Sequence, residues 1–314
     1  MTKTAFLFPG QGAQYVGMGR ELAQQYPGVA QHFAQMNELL GFDLRHLCWE
    51  GPEEELKKTA NQQPAILAFS VACLSLLTDA GIRPDVVAGL SLGEYSALVA
   101  AGVLTFEEAV PLVRKRGTYM QEAVPLGTGG MAAVLGLANE EVDRLCLQAS
   151  AETGLHVEGA NYNCPGQIVV SGHTEAVARL MELVAANHGK AVKLSVTAPF
   201  HSKLLVKAGE MLSGALDQLA LRNAAIPVVA NVTADYVTDR AQIRKLLVEQ
   251  VSKPVRWEES IRRMLADGVD TFVEVGPSKA LSGFLKKIDR SVRVFNIEDA
   301  QTLGKVLDSW GRVC

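Results

Sequence analysis

The 314-residue chain has no CxxC pair, and its five cysteines (Cys48, Cys73, Cys146, Cys164 and Cys314) are odd in number. A disulfide framework and a zinc site both draw on paired cysteines, so the pattern argues against each and predicts no metal. It favours a reducing compartment, taken as the cytoplasm. No unbroken apolar run approaches 18 residues, which predicts no transmembrane helix. The apolar stretch in MTKTAFLFPGQG meets Pro9-Gly10 too early to act as a signal-peptide core. Strong charge of either sign is missing too. A net charge of −4 and a pI of about 5.9 give no general attraction to nucleic acid or an anionic membrane, so neither partner is expected. The 28 glycines and 12 prolines are scattered, without a linker, repeat or low-complexity tract. What is present, 48% apolar and 20% charged residues, can bury a sizeable core without staples.

Strand and helix patterns alternate along the chain. Residues 5–8 read as a buried strand stopped by Pro9-Gly10, and helical spacing follows over 15–26. An apolar helix is predicted over 64–80, with Pro64 in its first turn. A strand over 85–89, a helix over 94–101 closed by Gly102, and a helix over 107–122 come next. This order predicts an α/β fold around a parallel sheet. Residues 128–198 change the pattern to β-α-β-β-α-β, with strands at 131–137, 156–161, 167–171 and 191–196. Helices fill 139–153, with Asn139 as N-cap, and 174–187. That is a ferredoxin-like split unit, entered through the glycine-rich hinge at 127–130. The expected plan is a large domain of 1–127 and 199–314 with 128–198 inserted. The large layer resumes with helices at 204–219, 241–251 and 257–267, strands at 227–231 and 271–275, and a turn into a helix through GPSKALSGFLKK.

Gly89-Leu90-Ser91-Leu92-Gly93 lies between a predicted strand and a predicted helix. G-x-S-x-G in that setting is a nucleophile-elbow pattern: the tight turn needs small flanks, and the helix start aims N–H groups at the reaction centre. The plainer alternative is a serine N-cap. A nucleophilic serine needs a base, and His201 in TAPFHSKLL, where the chain re-enters the large domain, is the candidate among six histidines. Glu94, Asp235, Glu249 and Glu258 are each available to orient the imidazole, and a backbone carbonyl would serve equally. The loop FPGQGAQYVGMG lacks the Lys-Ser/Thr of a Walker motif and the third glycine of a dinucleotide fingerprint. It reads either as an oxyanion-hole loop or as simple packing. Arg114, Lys115 and Arg116 close the helix after the elbow, as a solvated end or as a guanidinium for a substrate carboxylate.

FPGQGAQ near the start, GLSLGEYSALVAAG at 89, RGTYMQEA at 116, APFHS at 198, VSKPVRW at 251 and EVGPSKALSGF at 274 together resemble the malonyl-CoA:acyl carrier protein transacylase family. The motifs follow the family's order and span almost the whole chain. The resemblance implies an α/β-hydrolase-like large domain with a ferredoxin-like insertion. It implies transfer of malonyl from malonyl-CoA to the phosphopantetheine thiol of acyl carrier protein, for fatty-acid or polyketide synthesis. No cofactor is implied, and a monomer is expected. Ser91 would carry the acyl group and His201 would be its base. Gln11 and Leu92 would supply oxyanion N–H groups, and Arg116 would hold the malonyl carboxylate. The main-chain carbonyl of Gln250 would orient the histidine, Gln63 would line the pocket, and Phe200 matches the malonyl-preferring pattern. One position departs: Leu90 stands where the family's elbow commonly has histidine. A serine esterase or thioesterase on the same elbow, and a non-catalytic carrier-binding module, are the competing readings. Lys286, Lys287 and Arg290, or Arg262 and Arg263, are the candidate basic patches for an acidic carrier.

Overall fold

The computed structural model describes residues 2–196 and 198–310, so Cys314 lies outside the described residues. β1 (Thr4–Phe8) passes through the glycine-rich loop into α1 (Arg20–Gln25), α2 (Pro27–Leu40), α3 (Leu44–Glu50), α4 (Glu53–Leu56) and the long α5 (Thr59–Asp79). β2 (Val86–Gly89), α6 (Gly93–Ala100) and α7 (Phe106–Glu122) follow. Then come β3 (Gly129–Leu135), α8 (Asn139–Thr153), β4 (Val157–Cys164), β5 (Gln167–His173), α9 (Thr174–Ala186) and β6 (Lys190–Lys193). The remainder is α10 (Val206–Leu216), β7 (Val228–Val229), β8 (Tyr236–Val237), α11 (Arg240–Gln250), α12 (Trp257–Ala266), β9 (Thr271–Val275), α13 (Ala280–Ile288), β10 (Arg293–Ile297) and α14 (Ala300–Trp310).

The fold is α/β. A six-stranded sheet runs β10-β9-β1-β2-β7-β8, parallel throughout except for β8, which turns back on β7. β1, β2 and β9 are buried at every position, as strands covered by helices on both faces must be. The register pairs Phe8 with Gly89, so β1 and β2 end side by side and release their loops at one edge. Residues 129–193 build a separate four-stranded antiparallel sheet, β4-β5-β3-β6, whose aliphatic core lies against α8 and α9. Backbone bonds tie this layer to the body: Tyr162 N–H donates to Val255 O at 2.9 Å, and Val255 N–H donates to Ala160 O at 2.8 Å.

Several local expectations are corrected. The helix expected over 15–26 is reduced to α1, because Gly17 and Gly19 take φ of 101° and 75° and hold the preceding residues in turns. Pro64 lies inside α5 rather than in its first turn. Proline cannot donate to Ala60 O one turn back, and the Arg114 guanidinium supplies that bond instead, at 3.3 Å. α5 is also long and apolar enough, by length and composition, to cross a membrane, because Asn61, Gln62, Gln63 and Ser70 interrupt any unbroken apolar run without making the helix polar. In the fold it is a core helix, buried over 78% of its most apolar window. Ala138, not Asn139, precedes α8 as its N-cap, and the Asn139 side chain makes no capping bond. β6 stops at Lys193.

Candidate active site

The elbow is built from close approaches. A Cβ on Gly89 would lie 1.9 Å from the Gly93 carbonyl carbon, and one on Gly93 would lie 2.0 Å from Phe8 O. A Cβ on Gly10 would meet Leu90 O at 2.4 Å, so glycine there lets the first loop close on the elbow, and Gln11 lines the same cavity as Ser91. Between these glycines Ser91 is forced to φ 53°, a left-handed conformation that costs a non-glycine residue about 1–2 kcal/mol. Hydrogen bonds fix it there. Ser91 N–H donates to Asn231 Oδ1 at 2.7 Å, and Ser91 O accepts from Gln250 Nε2 at 3.0 Å and from Glu94 N–H at 3.1 Å.

Ser91 and His201, 110 residues apart in the chain, meet with Oγ 2.7 Å from Nε2. His201 also has left-handed backbone, φ 57°, and its Nδ1 is 2.8 Å from Gln250 O. A carbonyl only accepts, so Nδ1 carries the proton and Nε2 offers its lone pair to the serine hydroxyl. Burial, reinforced by the nearby Arg116 charge, pushes the imidazole down to about 4. It is therefore neutral and able to take a proton at pH 7. None of the four carboxylates considered touches it. Asp235, Glu249 and Glu258 are tied up in surface pairs with Arg263, Lys253 and Arg262, and Glu94 faces Gln250 and Asn231.

Arg116 comes to the same hydroxyl from α7. Its Nη2 donates to Ser91 Oγ at 3.1 Å and to Gln250 Oε1 at 2.9 Å, and its Nη1 donates to Gln63 Oε1 at 2.9 Å. The guanidinium is 1% exposed, stacks over Tyr95 at 5.2 Å and has no ion pair among the described residues. Gln63 was expected on the pocket wall. It is instead fully buried beneath it and holds the arginine. Arg114 and Lys115 do not join the site: Arg114 bonds to Ala60 O and Asn61 Oδ1, and Lys115 is exposed.

In front of Ser91 opens a cavity of about 260 Å³. Gln11, Leu90, Phe200 and His201 line it from the body, and Asn161 and Asn163 line it from β4. Leu92 is the fully buried N-cap residue of α6, and the turn it sits in is closed by Gly93 N–H donating to Leu90 O at 2.9 Å. Behind Ser91 the packing is polar. Asn231, at the end of β7, donates from Nδ2 to Gly89 O at 2.7 Å, and its N–H donates to Glu94 Oε2 at 3.1 Å. Gln250 Nε2 donates to the same carboxylate oxygen at 2.8 Å. Burial pushes Glu94 up to about 7, against the hydrogen bonds from Asn231 and Gln250 and the Arg116 charge. Sequence reading missed Asn231 and the side-chain role of Gln250. The one available signal was Asn231 at the end of the apolar run over 227–231, where a polar residue leaving a strand faces the loop that leaves its neighbour β2.

A family model described as an acyl transferase domain matches residues 5–308. The malonyl CoA-acyl carrier protein transacylase of Bacillus subtilis is 48% identical over 304 residues, covering 96% of each chain. The crystal structure of the enzyme of that name from Clostridium perfringens superposes with a TM-score of 0.95 at 44% identity, covering 99% of this chain and 98% of that one. A malonyl-transacylase solved in complex with a type II PKS acyl-carrier protein matches at a TM-score of 0.95 and 41% identity, over 98% of this chain and all of that one.

Proposed function

The chain belongs to the acyl transferase family, among the malonyl-CoA:acyl carrier protein transacylases, and on that premise we propose that it transfers malonyl between thiols through an ester on Ser91. The observation that carries the reading is the Ser91 hydroxyl held between a neutral His201 and the Arg116 guanidinium. His201 Nε2 takes the hydroxyl proton as Oγ attacks the thioester carbonyl of malonyl-CoA. The oxyanion rests on the backbone N–H groups of Gln11 and Leu92. As the intermediate collapses, the C–S bond breaks and the imidazolium returns its proton to the coenzyme A thiolate. The phosphopantetheine thiol of acyl carrier protein then gives its proton to His201, attacks malonyl-Ser91 and releases the serine. Arg116 receives the malonyl carboxylate, exchanging amide contacts for a two-pronged pair. Phe200 lines the cavity, and Leu90, in place of histidine, gives it a second apolar wall.

The architecture fits an α/β-hydrolase-like body of 1–127 and 199–314 carrying a ferredoxin-like insertion at 128–198. The antiparallel strand order 2-3-1-4 of the small sheet supports that assignment. For the carrier, the α13 patch is the better docking surface. Lys286, Lys287 and Arg290 are exposed and without ion pairs among the described residues, and α13 begins at the cavity wall with Ala280, Leu281 and Phe284. Arg262 and Arg263 are already neutralised by Glu258, Asp235 and Asp267. The four described cysteines are buried free thiols, which suits the cytoplasm, and we take the enzyme to act as a monomer. Intact-protein mass measurement after brief exposure to malonyl-CoA tests the reading. A single malonyl adduct on the peptide holding Ser91, discharged by holo-carrier and absent in Ser91→Ala, is expected. Turnover of malonyl-CoA at full rate without carrier would identify a hydrolase instead.

A further inference from the structure

Glu94, in the first turn of α6, takes no part in the chemistry above, yet it is completely enclosed close to the nucleophile. Arg116 is as deeply buried and rests on two side-chain amide oxygens rather than a carboxylate. One of those amides links the two charges. Gln250 accepts from Arg116 at Oε1, 2.9 Å, and donates from Nε2 to Glu94 Oε2, 2.8 Å. Its dipole is thus aligned between a cation and an anion. A direct Glu–Arg pair would occupy the guanidinium fork. A pair spaced by an amide offsets part of the buried charge and leaves the fork able to take a new carboxylate. We propose that Glu94 is the counter-charge of Arg116, joined to it through the Gln250 side-chain amide, and that it sets how tightly the site holds an acyl group ending in a carboxylate. The proposal rests on the reading of Arg116 as the malonyl clamp.

The other groups facing Glu94 keep their charge near neutrality. Tyr95 is pushed up to about 12 and His201 down to about 4, and Asn231 and Gln250 are uncharged. Glu94, pushed up to about 7, is the group that changes. Below that pH it is protonated and neutral, Arg116 is unopposed, and a carboxylated acyl group is held more tightly. Above it the carboxylate competes for the same positive charge.

The experiment measures dissociation constants of malonyl-CoA and acetyl-CoA by calorimetry on Ser91→Ala protein, which cannot be acylated, with Glu94 intact or as Glu94→Gln. Glutamine keeps an acceptor for Asn231 and Gln250 and removes the charge. At pH 8.5, Glu94→Gln is expected to bind malonyl-CoA about tenfold more tightly and acetyl-CoA within about twofold of the parent. With Glu94 intact, the malonyl-to-acetyl affinity ratio should rise by a similar factor from pH 8.5 to pH 6, and in Glu94→Gln it should stay flat. The ratio cancels titration of the shared coenzyme A phosphates. Equal shifts for both thioesters, or an unchanged ratio, would overturn the proposal. If Glu94→Gln does not fold, the pH series on the protein with Glu94 decides alone, and a flat ratio sinks it. An Arg116→Ala arm separates the two readings. A malonyl preference that needs Arg116 but ignores Glu94 removes only this inference, whereas a preference indifferent to Arg116 removes the clamp and the inference together.

Discussion

The interior of the small layer and the packing beneath the elbow are very different. Between the four-stranded sheet and its helices lie aliphatic side chains such as Val134, Leu145, Val170, Leu180 and Val184. Under the elbow, the six-stranded body buries Arg116, Glu94, Asn231, Gln250, Gln63 and His201 against one another. The first interior holds the chain together by removing apolar surface from water. The second spends much of that gain on desolvating charges and amides, and stays folded because nearly every polar atom has a partner. Among these six side chains, the Arg116 Nε is the atom left without one. The difference is expected to separate stability from chemistry: losing a methyl group in the small layer should leave the reaction untouched, and losing a hydrogen bond beneath the elbow should not.

Substitutions that cross this divide should sort accordingly. Among the residues that hold the acyl group or support the elbow, the greatest effect is expected from Arg116→Ala, which should slow malonyl transfer by about 10²–10³-fold and acetyl transfer by less than about tenfold. Steady-state rates with both thioesters check this, and equal losses would leave the guanidinium a structural role only. Asn231→Ala comes next. It strips the acceptor from Ser91 N–H and the donor from Gly89 O, and should slow acylation by roughly 10- to 100-fold while costing about 2–4 kcal/mol of stability. Rapid-quench acylation and urea unfolding read the two effects separately. A smaller contrast concerns pH. With His201 held at about 4, inactivation of Ser91 by a neutral sulfonyl fluoride should change by less than about twofold from pH 8 to pH 6, where an ordinary imidazole would lose about fourfold. A fourfold fall would mean that the base is not desolvated. Leu180→Ala in the small layer should leave acyl transfer at 20 °C essentially unchanged although it costs about 2–5 kcal/mol in unfolding. A loss of turnover at a temperature where the variant is fully folded would show that the two interiors are coupled.

The same divide governs what could be read from the sequence. In the small layer, alternation of Ile168 and Val170 and the helical spacing of Leu180, Leu183 and Val184 gave every strand and helix in order, because an apolar core leaves its period in the residues. The body was less legible. α2, α3 and α4 were not foreseen, β8 has two residues and no periodicity, and the β10–α14 segment carried no motif. Ser91 was visible because an elbow pattern places glycines at fixed offsets, and His201 because it stands where the chain re-enters the large domain. Leu90, Gln11 and Phe200 line the cavity, and the Gln250 carbonyl lies 2.8 Å from His201 Nδ1. Asn231 and the Glu94–Gln250 link left no such trace. Their meaning comes from three segments, residues 89–94, 231 and 250, that only folding brings together.

Both residues that would handle the proton, Ser91 and His201, sit in backbone geometry that side chains other than glycine avoid. Natural or laboratory searches that reward heat resistance alone therefore have a standing incentive to replace them with glycine, relaxing the turn and silencing the protein in the same step. Any campaign to toughen this fold needs turnover in its screen, or it will drift toward sturdier and inert descendants.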